Sequence, residues 1–407
     1  MRPITIAALL WLVGSGAVAQ DWVAGPSAPA PEWAQSIQTL DDGTVVYMRP
    51  EEGAERRGTV ARGTRLALRR RLAGTGCESG AWYEIGPSAF VCDERVRPSA
   101  EPPRGSPQPP RRRGRLLPYS YAFVRHDGTR AYAHPSDYLV DNYVEALGEG
   151  FGLVVIGSRH YDGVDFVQTR RGLWIDRESL GFARGSDFQG VEVDGTLDHA
   201  WVLSRNARVY QRPRGRVLRR ASRRAIVHVV AVDGDWVTLD DGTFMRDRDL
   251  GRATVAPAPG GLAPNERWID VDVAEQVMIA YQGSRPVYAT LVSTGRNRPS
   301  HATPIGEFRI WVKLATSNMD DLERSDVSSN YSIEAVPWVL YFERANGFHA
   351  AFWHDDFGRR RSHGCVNLAP SDARWLFDFA GPELPNGWYA VFPTEREQGT
   401  LVRVRGE

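Results

Sequence analysis

The sequence has 407 residues and carries 50 basic and 50 acidic side chains, which gives a formal net charge of zero. Hydrophobic residues make up 42% of the chain and charged residues 25%, a composition of folded globular proteins that excludes disordered and collagen-like chains. At about 100–200 residues per domain, this length predicts two to four domains. Without a net positive charge there is no long-range field to attract nucleic acid, so we expect no nucleic-acid partner.

The N-terminus has the pattern of a secretory signal peptide. Arg2 provides a positive start, residues 4–13 form an apolar run, and Ala-Val-Ala at 17–19 is a small-x-small cleavage motif. The apolar run is shorter than the ~20 residues that a membrane-spanning helix needs. We therefore expect residues 1–19 to be removed, the mature chain to have no transmembrane segment, and the protein to act in the periplasm or cell-wall space.

The three cysteines fit an exported protein. Cys77 and Cys92 lie 15 residues apart, and a disulfide that closes a loop of this size contributes ~3 kcal/mol in the chain-entropy model. We predict that these two cysteines are paired. Cys365 is then left over, and an unpaired thiol in an oxidising compartment suggests a chemical role.

Three stretches rich in proline divide the chain. Residues 20–38 are predicted to be a flexible lead, residues 99–118 an extended Pro/Arg-rich spacer that does not pack, and residues 253–266 a linker. These stretches separate three short N-terminal segments and one C-terminal domain. The predicted boundaries are 39–98, 119–186 and 196–252 for the segments and 267–395 for the domain.

The three short segments share one pattern. In each, an aromatic residue, Trp82, Phe166 or Trp236, lies in a short alternating strand, and a glycine-containing turn leads to a second apolar pair and a charged run. The pattern predicts a hairpin in each segment and three small β-barrels. The segments resemble bacterial Src-homology-3-like modules, which implies that they bind wall peptides or space the next domain.

The C-terminal domain begins with alternating runs at 268–273, 276–281 and 286–293, which predict a β-meander. The segment 303–308, Thr-Pro-Ile-Gly-Glu-Phe, predicts a rigid turn that leads into another strand. Near the end, Pro370 starts a predicted helix over 371–380. This predicted helix directly follows the segment that contains the third cysteine, Cys365.

Cys365 lies in the sequence Ser362-His363-Gly364-Cys365, with further histidines upstream. A thiol with a pKa of about 8.5 is mostly protonated at neutral pH, so a cysteine nucleophile needs an imidazole that accepts its proton. Gly364 permits close backbone approach, and the amides of Gly364 and Cys365 could face a developing oxyanion. The pattern therefore predicts acyl transfer through a cysteine.

These motifs resemble those of the YkuD-type L,D-transpeptidases, which cross-link bacterial peptidoglycan through a catalytic cysteine. That family has a histidine, a gap, and then Ser/Thr-His-Gly-Cys, an apolar residue and Arg or Asn; His349 and residues 362–367 match it, and residues 303–308 match its Thr-Pro-x-Gly-x-Phe segment. The resemblance covers about residues 268–393. It implies a mainly β chain that ends in a β-sandwich-like catalytic domain with a short helix after the nucleophile.

The resemblance also implies roles for single residues. Cys365 is the nucleophile, and His349 accepts and donates the proton, oriented by the carbonyl of Ala350. His349 precedes the cysteine by 16 residues and His354 by 11, and the family spacing favours His349. Around them, His363 and Ser362 support the loop, Gly364 contributes to the oxyanion hole, and Ser362, Asn367, Arg361 and Trp353 are expected to contact substrate.

The implied reaction has two stages and needs no cofactor. Cys365 attacks the third residue of a donor stem peptide and expels D-alanine as a thioester forms, and an amine then attacks the thioester. The amine would come from a neighbouring stem or from an outer-membrane lipoprotein, whereas water would make the enzyme an L,D-carboxypeptidase. The run Arg359-Arg360-Arg361 departs from the family pattern and suggests pairing with stem carboxylates.

Two other interpretations stay open at this point. His349, His354, His363 and Cys365 could bind zinc, although their spacing matches no usual zinc pattern. The protein could also be a non-catalytic wall-binding protein in which the N-terminal segments are the active part. Whether residues 318–337 form a lid over the cleft is not decided by the sequence.

Overall fold

The computed structural model describes residues 29–320 and 331–406. The predicted signal peptide, residues 20–28 of the predicted lead, and the centre of the predicted lid lie outside the described residues. Within them the fold is mainly β, as predicted. No helix in these two ranges is long and apolar enough to cross a membrane.

The first module forms two small sheets, with strand orders β4-β1-β8 and β5-β6-β7-β2-β3. Ile37 and Val91 are fully buried in its core, because alternate strand residues face inward. The strands are β1 (Ser36–Thr39), β2 (Thr44–Tyr47), β3 (Arg56–Val60), β4 (Arg65–Ala67), β5 (Arg70–Ala73), β6 (Ala81–Gly86), β7 (Ala89–Cys92) and β8 (Val96–Ser99). Cys77 and Cys92 form a disulfide at one end of this module.

The second module is built around the antiparallel order β14-β13-β12-β9-β15, with a separate β10-β11 pair. Its core contains Val124, Val167 and Ile175. The strands are β9 (Ser120–Val124), β10 (Thr129–Ala131), β11 (Glu145–Leu147), β12 (Gly152–Tyr161), β13 (Val164–Thr169), β14 (Trp174–Asp176) and β15 (Leu180–Phe182). After it, β16 (Val191–Glu192) pairs antiparallel with Ala289 and Tyr288 of the C-terminal domain.

The third module is a seven-stranded sheet in the order β19-β18-β22-β21-β20-β17-β23. Its strands are β17 (His199–Val202), β18 (Arg208–Tyr210), β19 (Val217–Arg220), β20 (Ile226–Asp233), β21 (Trp236–Leu239), β22 (Phe244–Arg246) and β23 (Leu250–Arg252). The repeated pattern corresponds to the antiparallel pairs β6-β7, β13-β14 and β21-β22. No closed barrel is found in the described part of the chain, so the Src-homology-3-like barrels stay a prediction.

The C-terminal domain packs two sheets around one core. One sheet has the order β16-β26-β25-β24-β33-β27, and the other contains β28, β29, β30, β31 and β32. The elements are β24 (Arg267–Asp272), β25 (Val277–Gln282), β26 (Arg285–Leu291), β27 (Gly306–Arg309), β28 (Val312–Asp320), β29 (Ser332–Glu343), β30 (Asn346–Ala350), β31 (Val366–Leu368), α1 (Pro370–Phe379), β32 (Trp388–Val391) and β33 (Leu401–Arg405). Ile269, Leu340 and Val402 are fully buried between the sheets, as in a β-sandwich.

Helix α1 is fixed at both ends. Pro370 occupies its first turn, and Ala373, Leu376 and Phe377 face the core. At the other end, Nζ of Lys313, the single lysine in the sequence, donates to the carbonyl of Ala380 at 2.9 Å. A cation satisfies the exposed carbonyls of a helix C-terminus, although burial lowers the pKa of this lysine to about 8.

The first two modules are continuous with the second catalytic sheet. Strand β3 pairs antiparallel with β32, and Gly152 of β12 pairs with Ile333 of β29. These pairs join the strands into one fifteen-stranded sheet. Gly58 makes the first junction possible, since a Cβ atom there would lie 2.2 Å from the carbonyl oxygen of Ala390. The first two modules are therefore fixed to the C-terminal domain by strand pairing.

Three predicted boundaries differ from the structure. The lead was expected to extend to residue 38, but β1 begins at Ser36 because its backbone pairs with β8. The spacer at 99–118 was expected not to pack, but Arg104 exchanges backbone hydrogen bonds with Arg65 and Leu117 is buried. The predicted domain end at 395 omits β33, which pairs in parallel with β24.

The disulfide generates the first testable prediction. Thiol titration of the native protein should detect one reactive thiol at most, and titration after reduction and unfolding should detect all three cysteines. Replacing both Cys77 and Cys92 by Ala should lower the free energy of unfolding of the first module by ~3 kcal/mol, because the unfolded chain regains loop entropy. Three titratable thiols in the native protein would contradict the pairing.

Candidate active site

The nucleophile loop is placed by the parallel pairing of β30 with β31. Phe348 lies opposite Val366 and His349 opposite Asn367. Because Phe348 and Val366 point into the core, strand alternation turns His349 and Asn367 to the other face. Cys365 directly precedes β31 and shares that face with Asn367. The pairing thus brings the predicted nucleophile and the predicted base to one side of the sheet.

That side opens into a cavity of about 770 Å³. The structure brings most of the sequence-predicted site residues to its wall, namely Cys365, His349, His363, Ser362, Asn367, Arg361 and Trp353. Gly364, also predicted for the site, precedes Cys365 and is buried. The wall also contains groups that the sequence did not single out, among them Arg296 and Asn346.

His349, the predicted base, is a neutral imidazole with one nitrogen bonded to the backbone. Its ring is 2% exposed, and Nδ1 lies 3.3 Å from the carbonyl oxygen of Ala350. A carbonyl can only accept, so Nδ1 carries the proton and the lone pair is on Nε2. Burial lowers the pKa of His349 to about 4. The ring also stacks on Trp353, with the centroids 5.7 Å apart, which fixes its orientation.

Cys365 is a protonated thiol in this state. Its Sγ lies 3.5 Å from the carbonyl oxygen of Ala345, and the residue as a whole is only partly exposed. Burial raises the pKa of Cys365 to about 11. Since His349 is neutral too, the resting site contains a thiol and an imidazole and not an ion pair.

Ser362 and Gly364 shape the turn before the nucleophile. The Ser362 hydroxyl donates to the carbonyl of Cys365 at 2.5 Å and accepts from the amide of Gly364 at 3.0 Å. The Gly364 amide, expected to face an oxyanion, is therefore engaged within the loop. Gly364 has a φ of 130°, a backbone conformation that favours glycine, and a Cβ atom there would lie 2.2 Å from Oδ1 of Asn346 and displace that side chain.

Thr303 is a positioning residue to which the sequence gave no role. Its hydroxyl donates to the carbonyl of Gly364 at 2.8 Å and accepts from the amide of Gly295 at 2.8 Å. Both bonds are buried, so Thr303 clamps the nucleophile loop to the strand end before it. The Thr-Pro-x-Gly-x-Phe motif was the only signal in the sequence, and it does not show what the threonine contacts.

His354, the alternative base, is held by other groups. Its Nδ1 accepts from the amide of Asp356 at 3.3 Å, and Nε2 lies 3.0 Å from the side-chain amide of Asn367. Burial lowers the pKa of His354 to about 4, so the ring is neutral, and because Nδ1 accepts, its proton is on Nε2. The Asn367 atom placed opposite Nε2 is the amide nitrogen, so a hydrogen bond requires the amide to be turned over with its oxygen toward His354. This orientation also satisfies an Asn367 oxygen that otherwise has no partner. With both nitrogens occupied, His354 orients Asn367.

His363 lies at the outer rim. It is exposed and stacks on Tyr331 at 5.6 Å, with His301 edge-on at 4.4 Å. In the described part of the chain, Cys365 and the histidines of the site do not come together as three ligand atoms within 4.8 Å of one another. The arrangement therefore gives no support to the zinc interpretation.

The cleft has a cationic side. Arg361 forms an ion pair with Asp356 at 2.5 Å and remains about half exposed, and Arg296 lies on the same wall. Guanidinium groups bind carboxylates with two parallel hydrogen bonds. An anionic peptide could thus be held beside Cys365, but the pairing of Arg361 with substrate stays a prediction.

The neutral resting pair predicts a simple pH profile. The rate of Cys365 alkylation by iodoacetamide should rise about tenfold per pH unit between about pH 6 and 9, because only the thiolate reacts and its fraction grows until the pH reaches the pKa. A rate that is already at a plateau near neutral pH would indicate a thiolate-imidazolium pair. A Cys365→Ala variant measures the background labelling.

Thr303 can be tested by removing only its hydroxyl. Thr303→Val should lower the free energy of unfolding by roughly 2 kcal/mol or more, since it leaves the buried amide of Gly295 and the carbonyl of Gly364 without partners. Thr303→Ser keeps the hydroxyl and should remain within about 1 kcal/mol of the wild type. Urea titration measures both variants, and equal stability of the two would contradict the clamp.

Comparison with known proteins matches this domain to a family. Residues 266–404 match YkuD, the L,D-transpeptidase catalytic domain. The chain is 29% identical over 125 residues to "Putative L,D-transpeptidase YciB" of Bacillus subtilis. The aligned region covers 27% of this chain and 59% of that protein. It is 34% identical over 92 residues to L,D-transpeptidase 1 of Mycobacterium tuberculosis, which covers 20% of this chain and 34% of that protein.

The chain therefore spans less than two thirds of both relatives. Among solved structures, the catalytic domain of an Enterococcus faecium L,D-transpeptidase is 24% identical and covers 36% of this chain and 100% of that domain. Its TM-score is 0.27, which is too low to support a conclusion alone. The sequence match confirms the resemblance: residues 266–404 form an L,D-transpeptidase catalytic domain of the YkuD family.

Proposed function

We propose that the protein is a cysteine L,D-transpeptidase that acts on peptidoglycan outside the cytoplasm. The observation that carries this proposal is the placement of Cys365 and His349 on one face of the cleft, with Nδ1 of His349 bonded to the Ala350 carbonyl so that Nε2 is free to accept a proton. The donor is a tetrapeptide stem, and the acceptor is an amine of a neighbouring stem.

The first step starts from two neutral groups. Sγ of Cys365 attacks the carbonyl carbon of the third stem residue while its proton moves to Nε2 of His349. The large gap between the two pKa values makes a free thiolate unfavourable before substrate binds. Proton transfer is therefore coupled to attack, and the imidazolium then protonates the departing amine of D-alanine.

We assign the stabilisation of the substrate oxyanion to the backbone amide of Cys365. The Gly364 amide already donates to Ser362, so Gly364 contributes the backbone conformation of the turn. Ser362 and Thr303 hold that turn from two sides. A preorganised amide stabilises the developing charge without reorganisation during the reaction.

The remaining polar groups divide into positioning and binding roles. Ser362 and Asn367 were expected to touch substrate, but their polar groups are engaged with Gly364 and His354, so we assign them to positioning. Arg361 and Arg296 are the candidates for the stem carboxylates, and Trp353 for packing against the peptide. His363 closes the rim of the cleft.

The second step reverses the proton path. Neutral His349 takes a proton from the attacking amine, the thioester breaks, and the proton returns to Cys365. If water attacks, the same residues release a tripeptide, and the enzyme is an L,D-carboxypeptidase. An outer-membrane lipoprotein is a further possible acceptor, and the N-terminal modules, as Src-homology-3-like units, would face the wall.

The proposal is tested by measuring intact mass after incubation with purified disaccharide-tetrapeptide. Wild-type protein should gain an acyl adduct that Cys365→Ala lacks, and dimeric products should accumulate with free D-alanine. Tripeptide without dimers would identify the carboxypeptidase. Absence of both adduct and product in folded protein would favour the wall-binding interpretation.

The choice of base is tested by a matched pair of variants. His349→Ala should slow acylation by about 10²–10⁴-fold, since the general base is lost. His354→Ala removes only the ring that orients Asn367 and should slow acylation by less than about tenfold. Single-turnover mass spectrometry measures both rates, and the reverse order would assign the base to His354.

A further inference from the structure

The second N-terminal module reaches into the catalytic cleft. Phe123 of β9 and Gly150 of the turn between β11 and β12 lie on the wall of the cavity that contains Cys365. Phe123 is half-buried, and a Cβ atom built on Gly150 would meet nothing within 4 Å, so the turn borders open space. A domain that served only as a spacer would not be expected to place residues on the wall of this cavity.

The module is fixed against the cleft by specific bonds. Gly152 pairs with Ile333, the amide of Val154 donates to the Glu334 carboxylate at 3.0 Å, and the Tyr121 hydroxyl donates to the Ala335 carbonyl at 2.7 Å. The last bond is buried. Three consecutive residues of β29 are thus held by the module, which sets the position of Phe123 relative to the cleft.

A series of ring contacts connects the module with the base. Tyr121 stacks on Phe352 with a centroid distance of 4.0 Å, and Phe123 lies 6.0 Å from the same ring. Phe352 meets Trp353 edge-on at 5.1 Å, and Trp353 stacks on His349. The module therefore supports the ring that orients the base as well as the wall of the cleft.

The wall of the cleft contains both apolar and charged groups. Phe123, Ile333 and Trp353 provide apolar surface, Arg296 and Arg361 provide positive charge, and Asp320 provides a carboxylate. A pocket of this kind suits a ligand that has both carboxylates and C–H groups. The substrate of the proposed function has both, in its alkyl side chains and in the ring faces of its sugars.

We propose that Phe123 and the turn at Gly150 form, together with Ile333 and Trp353, an apolar subsite that binds the C–H-rich part of the acyl donor. This inference rests on the proposed function. It makes residues 119–186 part of the substrate-binding unit and Phe123 a binding residue contributed by an N-terminal module.

The test compares three full-length variants. Phe123→Ala should raise KM for the donor about tenfold, because apolar contact is lost, while Phe123→Leu should stay near the wild-type value. Phe182→Ala is the matched control, since Phe182 is an exposed phenylalanine of the same module outside the cleft and should leave KM unchanged. Thermal unfolding and Cys365 alkylation by iodoacetamide should be similar in all three.

The donor is supplied as free tetrapeptide and as disaccharide-tetrapeptide. If Phe123→Ala raises KM for both donors, the alkyl groups of the stem are the bound part. If it raises KM for the disaccharide form alone, the sugar is the bound part. An unchanged KM with both donors, or an equal rise in Phe182→Ala, would overturn the subsite.

Binding of both donors is also measured in a Cys365→Ala background with and without Phe123→Ala. This comparison needs no turnover, so the subsite can fail while wild-type acylation succeeds, and the proposed function can fail while the subsite binds. We expect Phe123→Ala to raise the dissociation constant about tenfold. Equal dissociation constants with and without the substitution would refute the inference.

Discussion

The parallel pairing of β30 with β31 is the constraint on which the site depends. It buries Phe348 and Val366 between the two sheets and thereby turns His349 and Cys365 toward the cleft. A shift of one residue in this register would send the histidine into the core and expose the phenylalanine. The free energy of core packing thus holds the catalytic geometry, and the hydrogen bonds of Ser362 and Thr303 refine it.

Burial also decides the charge state of the site. The same packing that fixes the cysteine and the histidine removes water around them, which raises one pKa and lowers the other. Both groups rest in the neutral form, and in the proposed reaction the oxyanion of the substrate is the partner that balances the charge of the imidazolium. A protonated thiol also reacts slowly with oxidants, because the thiolate is the reactive species.

The N-terminal modules take part in the architecture of the catalytic domain. Strands β3 and β12 extend its second sheet from two positions, and the second module adds Phe123 to the cleft wall. Edge strands offer unpaired backbone groups, and their pairing with a neighbouring module satisfies those groups. The same contact that covers an edge therefore also shapes the substrate cleft.

The sequence by itself determined the family of residues 266–404, the mainly β class and the repeated hairpins, and it predicted the cysteine and its histidine. These features depend on residue types at short spacings, such as Ser-His-Gly-Cys or the alternation around Trp236, and such patterns are visible along the chain. Only the tertiary structure decided that His354 is held by Asn367, that Thr303 clamps Gly364, and that Tyr121 bonds to Ala335 across 214 residues. Backbone groups at strand edges are the same for every residue type, so the sequence does not show which edges meet; the folded chain sets that, through the packing of its cores.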